Sequence, residues 1–209
     1  MLNSIASALN RNDELPNIEL AEKLIKSEDS IGIAEIASGL KMGKAIANDC
    51  IKVLYEIGQQ KPELILPHAE GFLDLLKSKN NRLVWGAMTA LGQITPLYPD
   101  KVFKRFDDLC VAYNEGSVIT IDSSMTVFAN LCRVCKEYEQ KILPVLFKHF
   151  ETCRAKEIPQ HFERIAVGIT PDSIEMFRII INKRFEEMTK SQQVRVGKVF
   201  KSLLKGEKR

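Results

Sequence analysis

The sequence has no apolar run that approaches the roughly 18 residues needed to cross a bilayer, so no membrane helix is expected. It also lacks the phosphate-cradling GxxxxGK[ST], the dinucleotide-binding GxGxxG and the nucleophile elbow GxSxG, which removes the sequence marks of three common enzyme classes. No stretch alternates apolar and polar residues for long enough to demand a strand. The start, MLNSIASALNRNDE, has no basic residue ahead of its short apolar part and is a poor signal peptide. Cysteine is scarce and odd in number: Cys50, Cys110, Cys132, Cys135 and Cys153 fall inside apolar helical patterns. Free thiols in a reducing cytoplasm explain that better than a disulfide frame.

What the sequence does contain is one unit written more than once. A shift of 37 positions carries Leu54 onto Leu91, Ile57 onto Ile94 and Pro62 onto Pro99. The same shift keeps apolar character from Ile46 to Leu83, Val53 to Ala90 and Phe72 to Leu109. A third copy places Met125-Thr126 on Met88-Thr89, Phe128 on Leu91 and Leu131 on Ile94. A fixed period in the range of about 20–50 residues means stacked supersecondary units, each too small to bury its own apolar face.

The helical pattern places this array along the chain. Leu2–Leu9 is expected as a first helix, Asn17 as N-cap of Ile18–Lys26, and Ser30 as cap of Ile31–Leu40. Small residues such as Gly32, Ala37 and Gly39 point to close packing of that last helix. The pairs Lys44–Gly58 with Pro62–Ser78, and Arg82–Thr95 with Pro99–Tyr113, follow. Pro67, well inside its helix, predicts a bend or late start near Ile65–Pro67 because it removes a backbone bond. Asp122–Cys135 with Gln140–Cys153 makes the third pair, and Pro159–Ile169 is short. Thr170-Pro171-Asp172 reads as N-cap, N1 proline and first-turn acid, and Ser191 opens a last helix over Gln192–Leu204. The terminal GEKR is expected to be polar and loose. The fold class is all-α: one domain, 1–209, with atypical cap helices over 1–43 and helix-pair repeats over 44–80, 81–117, 118–157 and 158–205.

NNRLVWGAMTALGQI, from Asn80 to Ile94, and QQVRVGKVFKSLL, from Gln192 to Leu204, resemble the first helix of HEAT-type repeats in the armadillo-like group. The copy at 44–58 is weaker, and the copy at 118–135 has no arginine at the matching place. The resemblance implies a right-handed α-solenoid of antiparallel helix pairs. It also implies a scaffold or protein-binding role, although such a fold does not dictate function.

Four residues have zinc-like types and spacing: Cys132-x2-Cys135 and His149-x3-Cys153. Antiparallel helices would hold the two pairs on the order of 15 Å apart, whereas zinc needs its ligands within ~2.3 Å; no metal site is expected. His68, His149 and His161 read as isolated histidines, with no paired group for acid–base work. Trp85 reads as a packing anchor with no second aromatic beside it and no acid in the following turn. That weakens the alternative reading, a nucleic-acid-binding relative of the alkylation-repair DNA glycosylases that share this architecture.

Charge is unevenly spread. Residues 1–100 carry 10 Lys/Arg against 13 Asp/Glu, and residues 101–209 carry 20 against 14. Lys101, Lys104 and Arg105, with Lys141 and Lys148, could line a basic stripe, diluted by Asp100, Asp107 and Asp108. The expectation is a non-enzymatic, cytoplasmic interaction module without cofactor. It would bind a protein partner through the face of the second helices, with Lys101, Arg105, Asp108, Lys141, Lys148 and Arg178 at the contact. Nucleic acid would bind only weakly.

Overall fold

A computed structural model describes residues 1–206, so the expected loose end beyond Gly206 lies outside the described residues. Among them every regular element is helical. The chain forms two compact units, 1–127 and 128 onward, with the boundary inside one helix.

In the first unit, α1 (Leu15–Ser27) and α2 (Ser30–Gly39) pack on α3 (Lys44–Gln60), and α3 packs on α5 (Asn81–Ile94). Between them the chain makes two 3-10 turns, Pro62–Leu64 and Leu66–His68, before α4 (Ala69–Leu75), which lies on α5. The late start follows from Pro67, which cannot donate to a helical ladder. A similar break divides the next second helix into α6 (Pro99–Phe103) and α7 (Phe106–Glu115). α8 (Val118–Cys132) starts four residues earlier than its sequence pattern suggests.

The 37-residue repeat is a repeat of core positions. Leu54, Ile57, Phe72, Leu91, Ile94, Leu109 and Met125 are all fully buried. A side chain at Gly39 would come within 2.4 Å of Cys50 Sγ, so its lack of a Cβ lets α2 approach α3.

The N-terminal segment departs from its expected form. Residues 2–4 make a 3-10 turn and no α-helix follows them, yet Ile5 is fully buried. Asn17 does not cap α1, which begins at Leu15; it is buried inside the helix. Its Oδ1 accepts from the Ala6 backbone N–H at 2.9 Å and its Nδ2 donates to Asp49 Oδ1 at 2.8 Å. Asp49 Oδ2 accepts from the Ser7 N–H at 2.7 Å. The polar pair Asn17–Asp49 thus supplies the hydrogen bonds that a helix over residues 2–9 would have made internally. Asp29, rather than Ser30, caps α2 by accepting from the Gly32 N–H at 2.8 Å.

The second unit holds α9 (Lys136–Thr152), α10 (Ile158–Ile165), α11 (Pro171–Lys183) and α12 (Lys190–Gly206). α9 packs on α11 and α10 on α12, so second helices meet second helices and first helices meet first. Thr170 and Ser173 form a reciprocal capping box ahead of Pro171. The core here is aromatic: Phe150, Phe162 and Phe177 are fully buried, with ring centroids 5.8–6.2 Å apart.

Candidate functional site

The second helices of the first unit carry a ladder of charges that bridges neighbouring repeats. Lys101 pairs with Glu70 and sits over the Tyr98 ring at 5.7 Å. Arg105 reaches Asp74 at 3.2 Å, Glu70 at 3.6 Å and Asp108 at 2.6 Å. Asp108 also binds Lys77 at 3.0 Å. The bond from Arg105, against a smaller opposing effect of burial, holds the Asp108 carboxyl below the usual range. The same 31-residue offset joins Lys101 to Glu70 and Arg105 to Asp74. Lys101, Arg105 and Asp108 do come together, but as a ladder of both signs, because α4 sets acids opposite each base. Lys104 and Asp107 are exposed beside it.

Next to the ladder lies an open cavity of about 380 Å³, lined by Leu76, Lys77, Lys79, Val84, Val111 and Glu115 among others. Leu76 and Val84 are buried and form part of its wall, while Val111 is 51% exposed. Lys77 belongs to both features. The hollow is of mixed character, with Leu76, Val84, Val111 and Ala112 set among Lys77, Ser78, Lys79, Asn81 and Glu115.

The remaining predicted contact residues lie in the second unit. Lys141 and Lys148, two helical turns apart on α9, are both exposed. Arg178 on α11 is partly exposed, 3.6 Å from Glu175 and above the Phe200 ring at 5.7 Å.

Trp85 has neighbours that its local sequence does not show. Its ring centroid is 5.5 Å from that of Tyr55, and the Arg82 guanidinium lies 5.6 Å away over its face. Arg82 pairs with Glu14, which also binds Lys52 at 2.9 Å. Burial works to raise the Glu14 carboxyl, but the bonds from Lys52 and Arg82 outweigh it and hold the group below its usual range. The expectation of a tryptophan without a second aromatic nearby is therefore corrected, because α3 supplies Tyr55. Glu14 is engaged by two cations here. It also lines a polar cavity of about 510 Å³ together with Asp13, Asn48, Asp49 and Arg82.

A second correction concerns the histidines. His149 and His161, read as isolated, are both buried and share a hydrogen bond of 2.8 Å between Nε2 and Nδ1. The 3-10 turn Ala155–Glu157 folds α10 back along the end of α9 and brings them together. Cys153 joins them: one ligand atom from each residue lies within 4.8 Å of the others. Cys132 and Cys135 are at the opposite end of α9, which is 17 residues or roughly 25 Å long. There, burial and the nearby Glu139 carboxylate push the Cys132 thiol up to about 12.

No family profile and no curated protein matches the chain. Solved structures do. A computationally designed armadillo repeat protein for modular peptide recognition is 14% identical, with a TM-score of 0.63 over 88% of this chain and 86% of the other. A designed armadillo repeat protein in complex with the peptide (KR)4 is 14% identical, with a TM-score of 0.65 over 88% and 86%. An engineered protein is 15% identical, with a TM-score of 0.58 over 97% of both chains. The chain has the armadillo/HEAT-like α-solenoid fold. That fold is compatible with a protein-binding scaffold, and among the described residues no helix is long and apolar enough to cross a membrane.

Proposed function

We propose that the protein is a non-catalytic interaction module that captures a peptide segment of a protein partner on the second-helix face of residues 1–127. The observation that carries this reading is the union, at Lys77, of the charge ladder with a hollow of mixed apolar and polar lining. A partner side chain of aliphatic size would enter beside Val111. Flanking charges of both signs would exchange with the ladder, with Lys101, Arg105 and Asp108 as contact residues. Exposed ion pairs are worth about 0–1 kcal/mol each, so a partner replaces them at little cost. In the second unit, taken by itself, Lys141, Lys148 and Arg178 would be contact residues for a protein partner. The designed structural neighbours named for peptide recognition use the same fold for a related task, which supports the reading.

The balance of signs argues against a polyanionic partner. Glu70, Asp74 and Asp108 accompany Lys101 and Arg105 along the ladder, so affinity for DNA should stay within the non-specific range of about 10⁻⁴–10⁻⁶ M at physiological salt. The test is selection of peptides from a displayed library by the full chain, followed by titration of the best binder. Val111→Asp, and separately Lys101→Gln with Arg105→Gln, should weaken that peptide at least tenfold. The melting temperature should hold for the first and fall slightly for the second, which gives up the pairs to Glu70, Asp74 and Asp108. Equal binding by all three proteins would remove the proposed surface. Sub-micromolar binding of duplex DNA at about 150 mM salt, tighter than that non-specific range, would replace the reading with nucleic-acid recognition.

A further inference from the structure

We propose that His149, Cys153 and His161 form a site for a zinc-class divalent metal ion, which clips the end of α9 to α10. His149 and Cys153 are four residues apart at the C-terminal turn of α9 and so share one face. His161 enters from the first turns of α10. The three ligand atoms already lie within 4.8 Å of one another. Tetrahedral zinc, with bonds of about 2.0–2.3 Å, holds its ligand atoms roughly 3.3–3.8 Å apart. Closure around an ion thus takes side-chain shifts on the order of an ångström, including a slight opening of the 2.8 Å imidazole pair.

The surroundings favour a ligand role over a packing role. His149 packs edge-on to Phe150 at 5.3 Å, within the aromatic core of the second unit. An apolar side chain at either position would fill that space without the desolvation cost of an imidazole. Two nitrogens and a sulfur make a donor set suited to zinc.

The turn that carries Cys153 is held from the end of α11. Arg184 Nη1 donates to the carbonyls of Phe150 at 3.1 Å and Cys153 at 2.6 Å, which fixes the last turn of α9. The same nitrogen is 3.8 Å from Cys153 Sγ, so one side chain holds both the turn and the sulfur in place. Glu187 balances the Arg184 charge at 2.6 Å. Glu157 of the connecting turn is held by Arg154. Cys153 is partly exposed while both histidines are buried, so the ion enters from the sulfur side and keeps one position for water.

The experiment uses the full chain, stripped with a chelator and kept reduced, titrated with Zn²⁺ by calorimetry and with Co²⁺ by absorption. One ion should bind per chain, saturably, with a thiolate-to-cobalt charge-transfer band, and zinc should raise the melting temperature. Cys153→Ser should abolish the band and weaken zinc by roughly 100-fold or more, beyond the usual cost of losing a supporting group. Cys135→Ser, at the exposed thiol on the other end of α9, should leave band and affinity unchanged. His161→Gln should weaken zinc as well; since that side chain is buried and its loss could unsettle the fold, Cys153→Ser at the partly exposed thiol is the deciding variant. The proposal is overturned if no saturable binding occurs, if wild type and Cys153→Ser bind zinc equally, or if the band depends on Cys135.

Discussion

The two compact units differ in what fills their cores and in which polar groups those cores enclose. In residues 1–127 the largest buried side chains are mostly aliphatic, among them Ile5, Ile33, Ile51 and Leu54, and charges pair across neighbouring helices near the surface. From residue 128 onward the core is built on Phe150, Phe162 and Phe177, and two histidines are buried with them. Surface pairs are weak and exchangeable, which suits a face that must release its own contacts to take a partner's. A buried polar pair is costly unless every group is satisfied, which suits a site that must hold one geometry. Depth thus sets what a polar contact is worth in either unit.

The largest effects should come from the cores. Phe177→Ala removes a ring packed on Phe147 at 4.9 Å as well as on Phe150 and Phe162. It should cost about 3–5 kcal/mol in a denaturant titration. Leu91→Ala, at a fully buried repeat position of the first unit, should cost ~2–5 kcal/mol. A clearly larger loss at Leu91 than at Phe177 would break the contrast between an aromatic core and an aliphatic one.

Asn17 sharpens the comparison from the other side, as a buried polar group in the mainly aliphatic unit. Asn17→Ala leaves the Ala6 N–H and Asp49 Oδ1 without their partner and should cost about 1–3 kcal/mol. Hydrogen exchange at Ala6 should rise in step. No change at Ala6 would mean that Asn17 does not hold the N-terminal segment.

Acid should act most mildly, through the pairs near the surface. The Glu14 and Asp108 carboxyls sit below their ordinary values in the folded chain, so their contribution is present at neutral pH and lost as the pH falls. Melting temperature should begin to drop below the ordinary glutamate value of 4.5, and Glu14→Gln should reduce that drop. An acid profile identical in wild type and Glu14→Gln would show that the Lys52–Glu14–Arg82 cluster adds no net stability.

Much of the frame is legible in neighbouring residues. The Pro67 break and the Thr170-Pro171-Asp172 helix start depend on prolines and on a capping residue within a turn of them, so local sequence suffices, although the part of Ser173 in that cap does not show there. The helix start at Leu15 is not legible in this way. Asn17 has the chemistry of a cap, yet Ala6 and Asp49, 11 and 32 residues away, draw it into the core. The charge ladder leaves a trace in the 31-residue offset between its bases and acids. The 37-residue core repeat, which carries Pro62 onto Pro99 and Phe72 onto Leu109, does not display that offset.

By itself the sequence determined an all-helical chain of repeated pairs, since helical periodicity, proline breaks and caps act within a few residues. It also determined which repeat positions are buried, because apolar spacing on a helix selects one face. The tertiary structure alone decided which polar groups meet. Lys101 faces Glu70, Trp85 finds Tyr55, and His149 finds His161 through turns whose course is set by packing. Hydrophobic burial is non-directional and reads out as a pattern along the chain. Hydrogen bonds, ion pairs and metal ligation require particular atoms within a few ångströms, and only the folded chain brings those atoms together.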